Sequence, residues 1–378
     1  MINREISNFL QTRIEANDFP SCVYLVAEKG EVIFEDSLGF AVVEPEKIKA
    51  KIDTIYDLAS LTKPFVTGLL CAKLIEIGEL NLSDKVAKYF PKFNTEITIQ
   101  NLLTHSSGMI AWKPFYLICD LRSEISDYVI EESQTAKPNQ SVIYSDLNFL
   151  TLTFLLEQLY GKRLDEIANN QIFTPLNLQS TFYNPPKSLQ NRIAASEDGS
   201  QFELQMSVEK GYDLNERAIE NRKSKIENRR CWGEVHDGNC YFMGGVSGHA
   251  GLFSTAEETF KIARQFLPNS TQILKPETCE LFRTNFTPNL NEARSIAFQL
   301  AATEKSTASE SLAKDSFGHL GFAGTSLWIE PETERIFILL TNRTHAHELP
   351  FVNINSVRRT FHELATEQLH HRGTETQR

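Results

Sequence analysis

A serine and a lysine lie one helical turn apart in the segment Ser60-Leu61-Thr62-Lys63. Residues three apart on a helix share a face, so the hydroxyl and the amine would be neighbours. A serine hydroxyl becomes a strong nucleophile when a nearby base takes its proton, and a lysine can be that base only with a neutral amine. Burial, a neighbouring cation or the helix dipole would therefore have to lower the pKa of Lys63.

This four-residue pattern is not specific by itself. It occurs twice more, as Ser207-Val208-Glu209-Lys210 and Ser311-Leu312-Ala313-Lys314, both in polar stretches. Ser60 differs because the apolar pair Leu58-Ala59 precedes it and a long apolar helical pattern follows it. An exposed helix start remains the alternative interpretation until other residues support the chemistry.

A second candidate is Tyr144-Ser145-Asp146, which comes just before an apolar helical stretch that starts near Asn148. A tyrosine at such a junction can shuttle a proton if nearby cations favour its phenolate form. The alternative is a tyrosine that only covers the edge of the core.

A third candidate is the glycine-rich segment 318–325, which leads into an apolar run at Ser326. Glycines allow a ligand to approach the backbone closely. His319 in this segment could donate a hydrogen bond to a carboxylate or assist proton transfer. The alternative is a strand at the edge of a hairpin with a solvated histidine.

Two hairpins near the chain ends must position these residues. Apolar runs at 23–27 and 32–34 flank a Gly-containing turn, and runs at 326–329 and 335–340 flank a polar loop with a proline. Helical patterns fill the region between them, including one from about Leu61 to Ile77. The sequence predicts an α/β (α+β) sandwich, in which helices flank a mainly antiparallel sheet that both termini complete.

The same patterns predict two parts that are not sequential. Residues 1–60 and 241–378 would form the sheet domain, and residues 61–240 an all-helical subdomain. A polar insertion is expected at about 185–240, because large apolar residues are scarce there, above all in 207–230.

In this order the three candidate segments resemble the SxxK, YxN and KTG/HxG elements of serine beta-lactamase-like hydrolases. The resemblance is to the branch of class C beta-lactamases, D-alanyl-D-alanine carboxypeptidases, D-aminopeptidases and carboxylesterases. The segments 97–108 and 248–255 are also similar, and the resemblance covers roughly residues 5–365. It implies the beta-lactamase/transpeptidase-like fold.

The resemblance also implies roles for individual residues. Ser60 would be the acylated nucleophile and Lys63 its base partner. Tyr144 would help protonate the leaving group and activate water for deacylation. The backbone N–H groups of Ser60 and Phe322 would form the oxyanion hole, which binds the negative oxygen of the tetrahedral intermediate.

The facing strand would place His319 and Gly321 beside the substrate, and here the chain departs from the family pattern. His319 stands where most beta-lactamases have lysine, Leu320 where threonine or serine is usual, and Asp146 where asparagine is usual. These changes remove a fixed positive charge and a hydroxyl and add a carboxylate. They favour an esterase or peptidase that acts on less anionic substrates.

Three functional hypotheses follow. The first is a serine hydrolase that cleaves esters, small amides or D-amino-acid peptides through an acyl-enzyme. The second is a beta-lactamase. The third is a non-catalytic binding or scaffold protein on the same fold, which Leu320 and the 207–230 segment motivate. The expected ligand is a small ester or amide, with no prediction of the oligomeric state.

No metal or organic cofactor is implied. The spacing of metal ligands is absent from the segments His236-Asp237 and His345-Ala346-His347, so their histidines are expected to be solvated in loops. His249 is expected to pack beneath the site.

Charge and composition weigh against other classes of protein. The 378 residues carry a net charge of −11, which repels nucleic acid. No stretch approaches the roughly 20 apolar residues of a membrane span, and no secretory signal is visible at the N-terminus. Six scattered cysteines without a CxxC pair are typical of a reduced compartment. The sequence therefore predicts a cytoplasmic protein that binds neither nucleic acid nor membrane.

Overall fold

The computed structural model describes residues 1–212 and 231–375. The strands are β1 Ser21–Glu28, β2 Glu31–Val42, β3 Ile48–Lys49, β4 Tyr56–Asp57, β5 Phe182–Tyr183, β6 Leu252–Ser254, β7 Gln299–Leu300, β8 Phe317–Leu320, β9 Ser326–Glu330 and β10 Arg335–Thr341. The α-helices are α1 Arg4–Glu15, α2 Leu69–Glu76, α3 Ile99–Leu103, α4 Phe115–Ile118, α5 Glu124–Ser133, α6 Asp146–Tyr160, α7 Leu164–Ala168, α8 Gln201–Glu209, α9 Gly238–Phe242, α10 Ala256–Ala263 and α11 Asn355–Glu375.

Seven strands form one antiparallel sheet in the order β3-β2-β1-β10-β9-β8-β7. Both predicted hairpins are present, because β1 pairs with β2 and β9 pairs with β10. The two ends of the chain meet at the centre, where Leu25 of β1 lies opposite Ile338 of β10. The predicted antiparallel sheet completed by both termini, with helices on its faces, is therefore confirmed. A second, small sheet has the order β4-β6-β5.

The central strands are buried on both faces. Alternate residues of β1 point to opposite sides, so Val23 and Leu25 join the larger core with the middle helices. Tyr24 and Val26 join the smaller core on the other face. Helices α1 and α11 cover that second face, where the ring of Phe361 lies 6.0 Å from that of Tyr24. The N- and C-terminal elements thus share one hydrophobic core.

The predicted helix from Leu61 to Ile77 is present, but its first turns are irregular. A 3-10 turn spans Ala59–Leu61, a π-helix spans Lys63–Gly68, and regular α2 follows. Pro64 lies in the first turn, where its missing N–H leaves no helical hydrogen bond unmade. Ser60 therefore lies at the helix start, as the sequence predicts.

Helices α2 to α8 occupy the middle of the chain. Within residues 1–212 and 231–375, no helix is both long and apolar enough to cross a membrane. The division into 1–60 with 241–378 and 61–240 remains a prediction. Of the predicted insertion at 185–240, a 3-10 helix Lys187–Arg192, α8 and α9 are described. Residues 213–230 lie outside the described residues.

We expect Phe361→Ala to lower the free energy of unfolding by about 3–5 kcal/mol, because it leaves a cavity between α11 and β1. Phe361 is fully buried, and Glu363 on the same helix is exposed. Denaturant unfolding should show a change of less than about 0.5 kcal/mol for the control Glu363→Ala. Equal losses in the two variants would contradict the packing of α11 on the sheet.

Candidate active site

Ser60 is held by a tight turn between β4 and the helical segment 59–76, which we call the nucleophile helix. The carboxylate of Asp57 accepts the N–H of Ala59 at 2.8 Å, and the hydroxyl of Thr325 donates to the carbonyl of Leu58 at 3.1 Å. Ala59 has a φ of +48°, a strained conformation for a residue with a side chain. These bonds fix the turn, and the Ser60 side chain borders a cavity.

The ammonium of Lys63 is fully buried and contacts three groups of the site. It donates to the Ser60 hydroxyl at 3.1 Å and to the carbonyl of His249 at 3.0 Å. It also lies 2.7 Å from Oδ1 of Asp146, the first residue of α6. His249 is buried beneath the site, as expected. The structure therefore brings Ser60, Lys63 and Asp146 together.

The pKa of Lys63 is raised, which contradicts the expectation from the sequence. Burial alone would lower the pKa of Lys63, but the negative charge of Asp146, together with the interaction with Tyr144, outweighs burial. Lys63 is therefore a cation in the resting protein, and it donates a hydrogen bond to Ser60 instead of accepting its proton. The cause is Asp146, the residue that departs from the family pattern.

Tyr144 lies at the junction before α6 and borders the same cavity. Its ring centroid is 4.9 Å from the Lys63 ammonium and 5.6 Å from the guanidinium of Arg294. The ring of His105 packs against it at 4.4 Å, and Nδ1 of His105 accepts the N–H of Ser145 at 3.0 Å. Two cations thus lie close to the Tyr144 ring, and a buried histidine packs against it.

His319 is buried and uncharged. Its Nδ1 lies 2.9 Å from the carbonyl of Leu320, and a carbonyl only accepts, so Nδ1 must carry the proton. The pKa of His319 is lowered well below its usual range, first by burial and then by the charges of Lys63 and Arg294. Its buried Nε2 is an acceptor with no partner among the described residues. The alternative of a solvated histidine is wrong, and the Nε2 atom cannot donate to a carboxylate.

The strand with His319 is the last but one of the sheet, because β7 lies outside it. β7 pairs only with Phe317 and Gly318, so His319 and Leu320 extend beyond it. Gly321 follows immediately and packs against the serine turn, where a Cβ atom would lie 2.6 Å from the carbonyl of Leu58. A side chain there would force the strand away from Ser60.

Ser60 is the second residue of its 3-10 turn, a position whose backbone N–H has no helical acceptor, and the N–H of Phe322 has no backbone acceptor among residues 1–212 and 231–375. Phe322 itself is held firmly, because Nε of Arg343 donates to its carbonyl at 2.7 Å. Arg343 also lies 4.8 Å from the Phe322 ring centroid, and the ring of His236 stacks against it at 5.4 Å. Both amides are free to bind an oxyanion, and that role remains a prediction.

Several supporting residues are not found by the sequence patterns. His236 is buried and forms a 2.7 Å pair with Glu197, so the expectation of a solvated histidine is wrong. Burial alone would lower the pKa of His236, but the hydrogen bond and charge of Glu197 raise it. Its backbone N–H donates to Asp57, which also holds the Ser60 turn. Residues 57, 197 and 236 are far apart along the chain, so no short sequence pattern indicates that they contact one another.

One group of side chains has the composition of a metal site. Ligand atoms of Asp146, Asp237 and His249 all lie within 4.8 Å of one another. Asp146 is already paired with Lys63, and Nε2 of His249 lies 2.9 Å from Asp237. A bound cation would have to compete with the Lys63 ammonium for Asp146.

The cavity beside Ser60 has a volume of about 670 Å³. Ser60 and Tyr144 border this cavity. Three aromatic rings also line it, those of Phe202, Phe322 and Phe351, which we call the aromatic cluster. The rings of Phe202 and Phe322 are 4.7 Å apart, and those of Phe322 and Phe351 are 6.0 Å apart. This space is suited to a small substrate with an apolar portion.

Comparison with known proteins supports the same class. The sequence profile of the family described as Beta-lactamase matches residues 6–358. An Escherichia coli K12 protein named "Putative D-alanyl-D-alanine carboxypeptidase" is 28% identical over 359 residues, which are 87% of this chain and 79% of that protein.

Two solved structures share the fold. A class C beta-lactamase from Rhodobacter sphaeroides is 17% identical with a TM-score of 0.68, and the match covers 96% of this chain and 99% of that protein. EstCE1, described as a hydrolase with promiscuous acyltransferase activity, is 19% identical with a TM-score of 0.70. The match covers 95% of this chain and 97% of EstCE1. The chain belongs to the beta-lactamase family and is a hydrolase of the serine beta-lactamase fold.

Replacing Asp146 should change how Ser60 reactivity depends on pH. Asp146→Asn removes the negative charge that raises the pKa of Lys63, so the Lys63 ammonium loses its proton at a lower pH. We expect the pH midpoint for Ser60 acylation by a fluorophosphonate to fall by about one to three pH units. Asp127→Asn, at an exposed position of α5, is the control. An identical pH midpoint in the two variants would show that Asp146 does not control the protonation of Lys63.

Proposed function

We propose that this hydrolase cleaves small esters and amides, including D-amino-acid peptides, through a covalent acyl-Ser60 intermediate. The observation that carries the proposal is the 3.1 Å contact between Ser60 Oγ and the buried Lys63 ammonium. This contact lies at the N-terminal end of a helix and beside a cavity of about 670 Å³. A serine hydroxyl bonded to a buried cation is stabilised as it becomes an alkoxide.

The proton of Ser60 needs an acceptor other than the resting Lys63, which is already protonated. We assign this role to Tyr144, whose ring centroid lies 4.9 Å from the Lys63 ammonium and 5.6 Å from the Arg294 guanidinium. Ser60 Oγ attacks the substrate carbonyl carbon while the phenolate form of Tyr144 takes its proton and becomes the phenol. Tyr144 then returns a proton to the leaving oxygen or nitrogen as the scissile bond breaks.

Deacylation would use the same groups in reverse. Tyr144 removes a proton from a water molecule, the resulting hydroxide attacks the acyl carbon, and Ser60 leaves with a proton. In both steps the negative carbonyl oxygen would bind the backbone N–H groups of Ser60 and Phe322. The bonds that hold Phe322 in place support this assignment, because an oxyanion site must be preorganised.

The choice of esters and peptides over beta-lactams rests on the charges near the reacting atoms. His319 is neutral, and Asp146 contributes a carboxylate where the family pattern has an amide. The name of the E. coli relative favours a D-peptide substrate, and the description of EstCE1 favours acyl transfer more broadly. Beta-lactam hydrolysis is the second candidate, and the class C beta-lactamase structure supports only its fold.

A fluorophosphonate probe tests the acyl-enzyme directly. We expect intact-mass analysis to show one adduct on the wild-type protein and none on Ser60→Ala, because the nucleophile is gone. Ser311→Ala is a matched control, since Ser311 begins another SxxK segment and should label normally. An unlabelled wild type, or a labelled Ser60→Ala, would overturn the proposal and favour a non-catalytic binding protein.

The substrate class is tested on one preparation with p-nitrophenyl esters, D-amino-acid anilides and nitrocefin. We expect turnover of an ester or an anilide that is lost in Ser60→Ala. Turnover of nitrocefin alone would contradict the proposed substrate class and establish the beta-lactamase alternative.

A further inference from the structure

Phe322 contributes to the site in two ways, because its side chain lines the cavity and its backbone N–H is assigned to the oxyanion site. It follows the end of β8 at Leu320, in a turn that is closed by a 3.1 Å bond from the N–H of Gly324 to the carbonyl of Gly321. An amide in such a turn has no strand pairing to fix its direction. Its orientation therefore depends on what holds the turn and the Phe322 ring.

Three side chains contact the Phe322 ring. Its centroid lies 4.7 Å from that of Phe202, 4.8 Å from the guanidinium of Arg343 and 5.4 Å from the ring centroid of His236. The imidazole of His236 is buried and nearly parallel to the Phe322 ring, with an angle of 23° between the planes. Because close-packed groups transmit displacements, a shift of the His236 or Phe202 ring would move Phe322.

A single carboxylate, that of Glu197, holds both of these neighbouring rings. Its Oε2 lies 2.7 Å from Nε2 of His236. Its Oε1 accepts the backbone N–H of Phe202, the second residue of α8, at 2.9 Å. Glu197 is buried, and neither Glu197 nor His236 takes part in the proposed reaction. A buried pair of this kind gives little net stability, because the desolvation of both groups offsets their attraction.

The same histidine also reaches the turn that carries Ser60. The backbone N–H of His236 donates to Oδ2 of Asp57 at 2.8 Å, and Oδ1 of Asp57 accepts the N–H of Ala59 at 2.8 Å. Asp57 is buried, and Ala59 directly precedes Ser60. His236 is thus connected to both amides of the oxyanion site, to one through its backbone and to the other through its ring.

We propose that Glu197 and His236 form a positioning pair for the oxyanion site, which fixes the N–H groups of Ser60 and Phe322 relative to each other. This inference rests on the proposed hydrolysis at Ser60 and adds two residues that determine its rate. Two N–H groups stabilise a tetrahedral intermediate only when both point to the same oxygen. Loss of the positioning pair therefore weakens binding of the transition state more than binding of the substrate.

The test measures the oxyanion site in two ways. The first is kcat/KM for p-nitrophenyl acetate, which reports acylation of Ser60. The second is the dissociation constant of phenylboronic acid. Ser60 Oγ forms a bond to boron, the hydroxyl proton is released, and the boron becomes a tetrahedral anion. An oxygen of this anion occupies the oxyanion position, so its affinity follows transition-state binding.

Glu197→Gln removes the charge of the positioning pair and keeps the shape of the side chain. We expect kcat/KM to fall about 10- to 100-fold, which is the effect of displacing a catalytic group by about 1 Å. The dissociation constant of phenylboronic acid should rise by the same factor. A merely structural role would lower the free energy of unfolding and leave both constants of the folded protein at their wild-type values.

Glu258→Gln is the matched control. Glu197 and Glu258 are 5% and 6% exposed, and the carboxylate of Glu258 likewise accepts backbone N–H groups, those of Gln179 and Ser180. Glu258 lies outside the lining of the cavity. Both constants should therefore stay at their wild-type values in this variant.

A double variant tests whether the two residues act together. His236→Phe keeps a flat ring beside Phe322 but removes the bond to Glu197. Because both changes break the same unit, the loss of kcat/KM in Glu197→Gln/His236→Phe should equal the larger single loss and not the product of the two. This double variant leaves no unpaired buried charge, so it can be measured even if a single variant fails to fold.

Three results would overturn the positioning role. They are wild-type constants in folded Glu197→Gln or in the double variant, single losses that multiply in the double variant, and an equal loss in Glu258→Gln. If the wild type still cleaves the ester in a manner that depends on Ser60, the proposed hydrolysis stands and only the positioning pair is lost. If the wild type neither cleaves the ester nor binds phenylboronic acid, the proposed function has failed and the positioning pair fails with it.

Discussion

A buried positive charge, the ammonium of Lys63, determines how the rest of the site is built. A charge that is fully removed from water is tolerated only with charged or hydrogen-bonding partners around it. Lys63 has three, the carboxylate of Asp146, the carbonyl of His249 and the hydroxyl of Ser60. Each partner comes from a different element, so the nucleophile helix, α6 and the segment 244–251 before β6 must all meet at this point.

The elements that meet there are fixed by packing elsewhere. The nucleophile helix is held by its contacts with the large core, and Thr67 on the same helix donates to the carbonyl of Gly248 at 2.8 Å. Asp57 joins the Ser60 turn to the loop of His236, and the ring of His236 packs on Phe322. The two amides assigned to the oxyanion site are thereby connected through side chains that do not react.

The sequence predicts the elements of this fold well because its local patterns are strong. Two hairpins built from continuous apolar runs, a proline in a first helical turn, and serine and lysine three positions apart all reflect short-range rules. The three segments around Ser60, Tyr144 and His319 are brought to one cavity as the family resemblance implies. Residues 213–230 lie outside the described part of the chain.

What the sequence does not reveal is the charge state of the site. Whether Lys63 is protonated depends on its burial and on the distance to Asp146, and neither follows from spacing along the chain. The same holds for His319, whose tautomer is set by the carbonyl of Leu320. The pairing of His236 with Glu197, and the placement of Arg343 against Phe322, join residues far apart in sequence. These long-range pairs decide which chemistry the motif residues can perform.

The charge of Lys63 in the resting protein can be measured directly by NMR of protein labelled with ¹⁵N at lysine Nζ. The signal of Lys63 is identified by its absence in Lys63→Arg. The ion pair with Asp146 predicts that this signal keeps its ammonium shift up to and beyond pH ~10.4, where ordinary lysines lose their proton. Titration of the Lys63 signal near neutral pH would contradict the account, because Lys63 would then be a neutral base in the resting site.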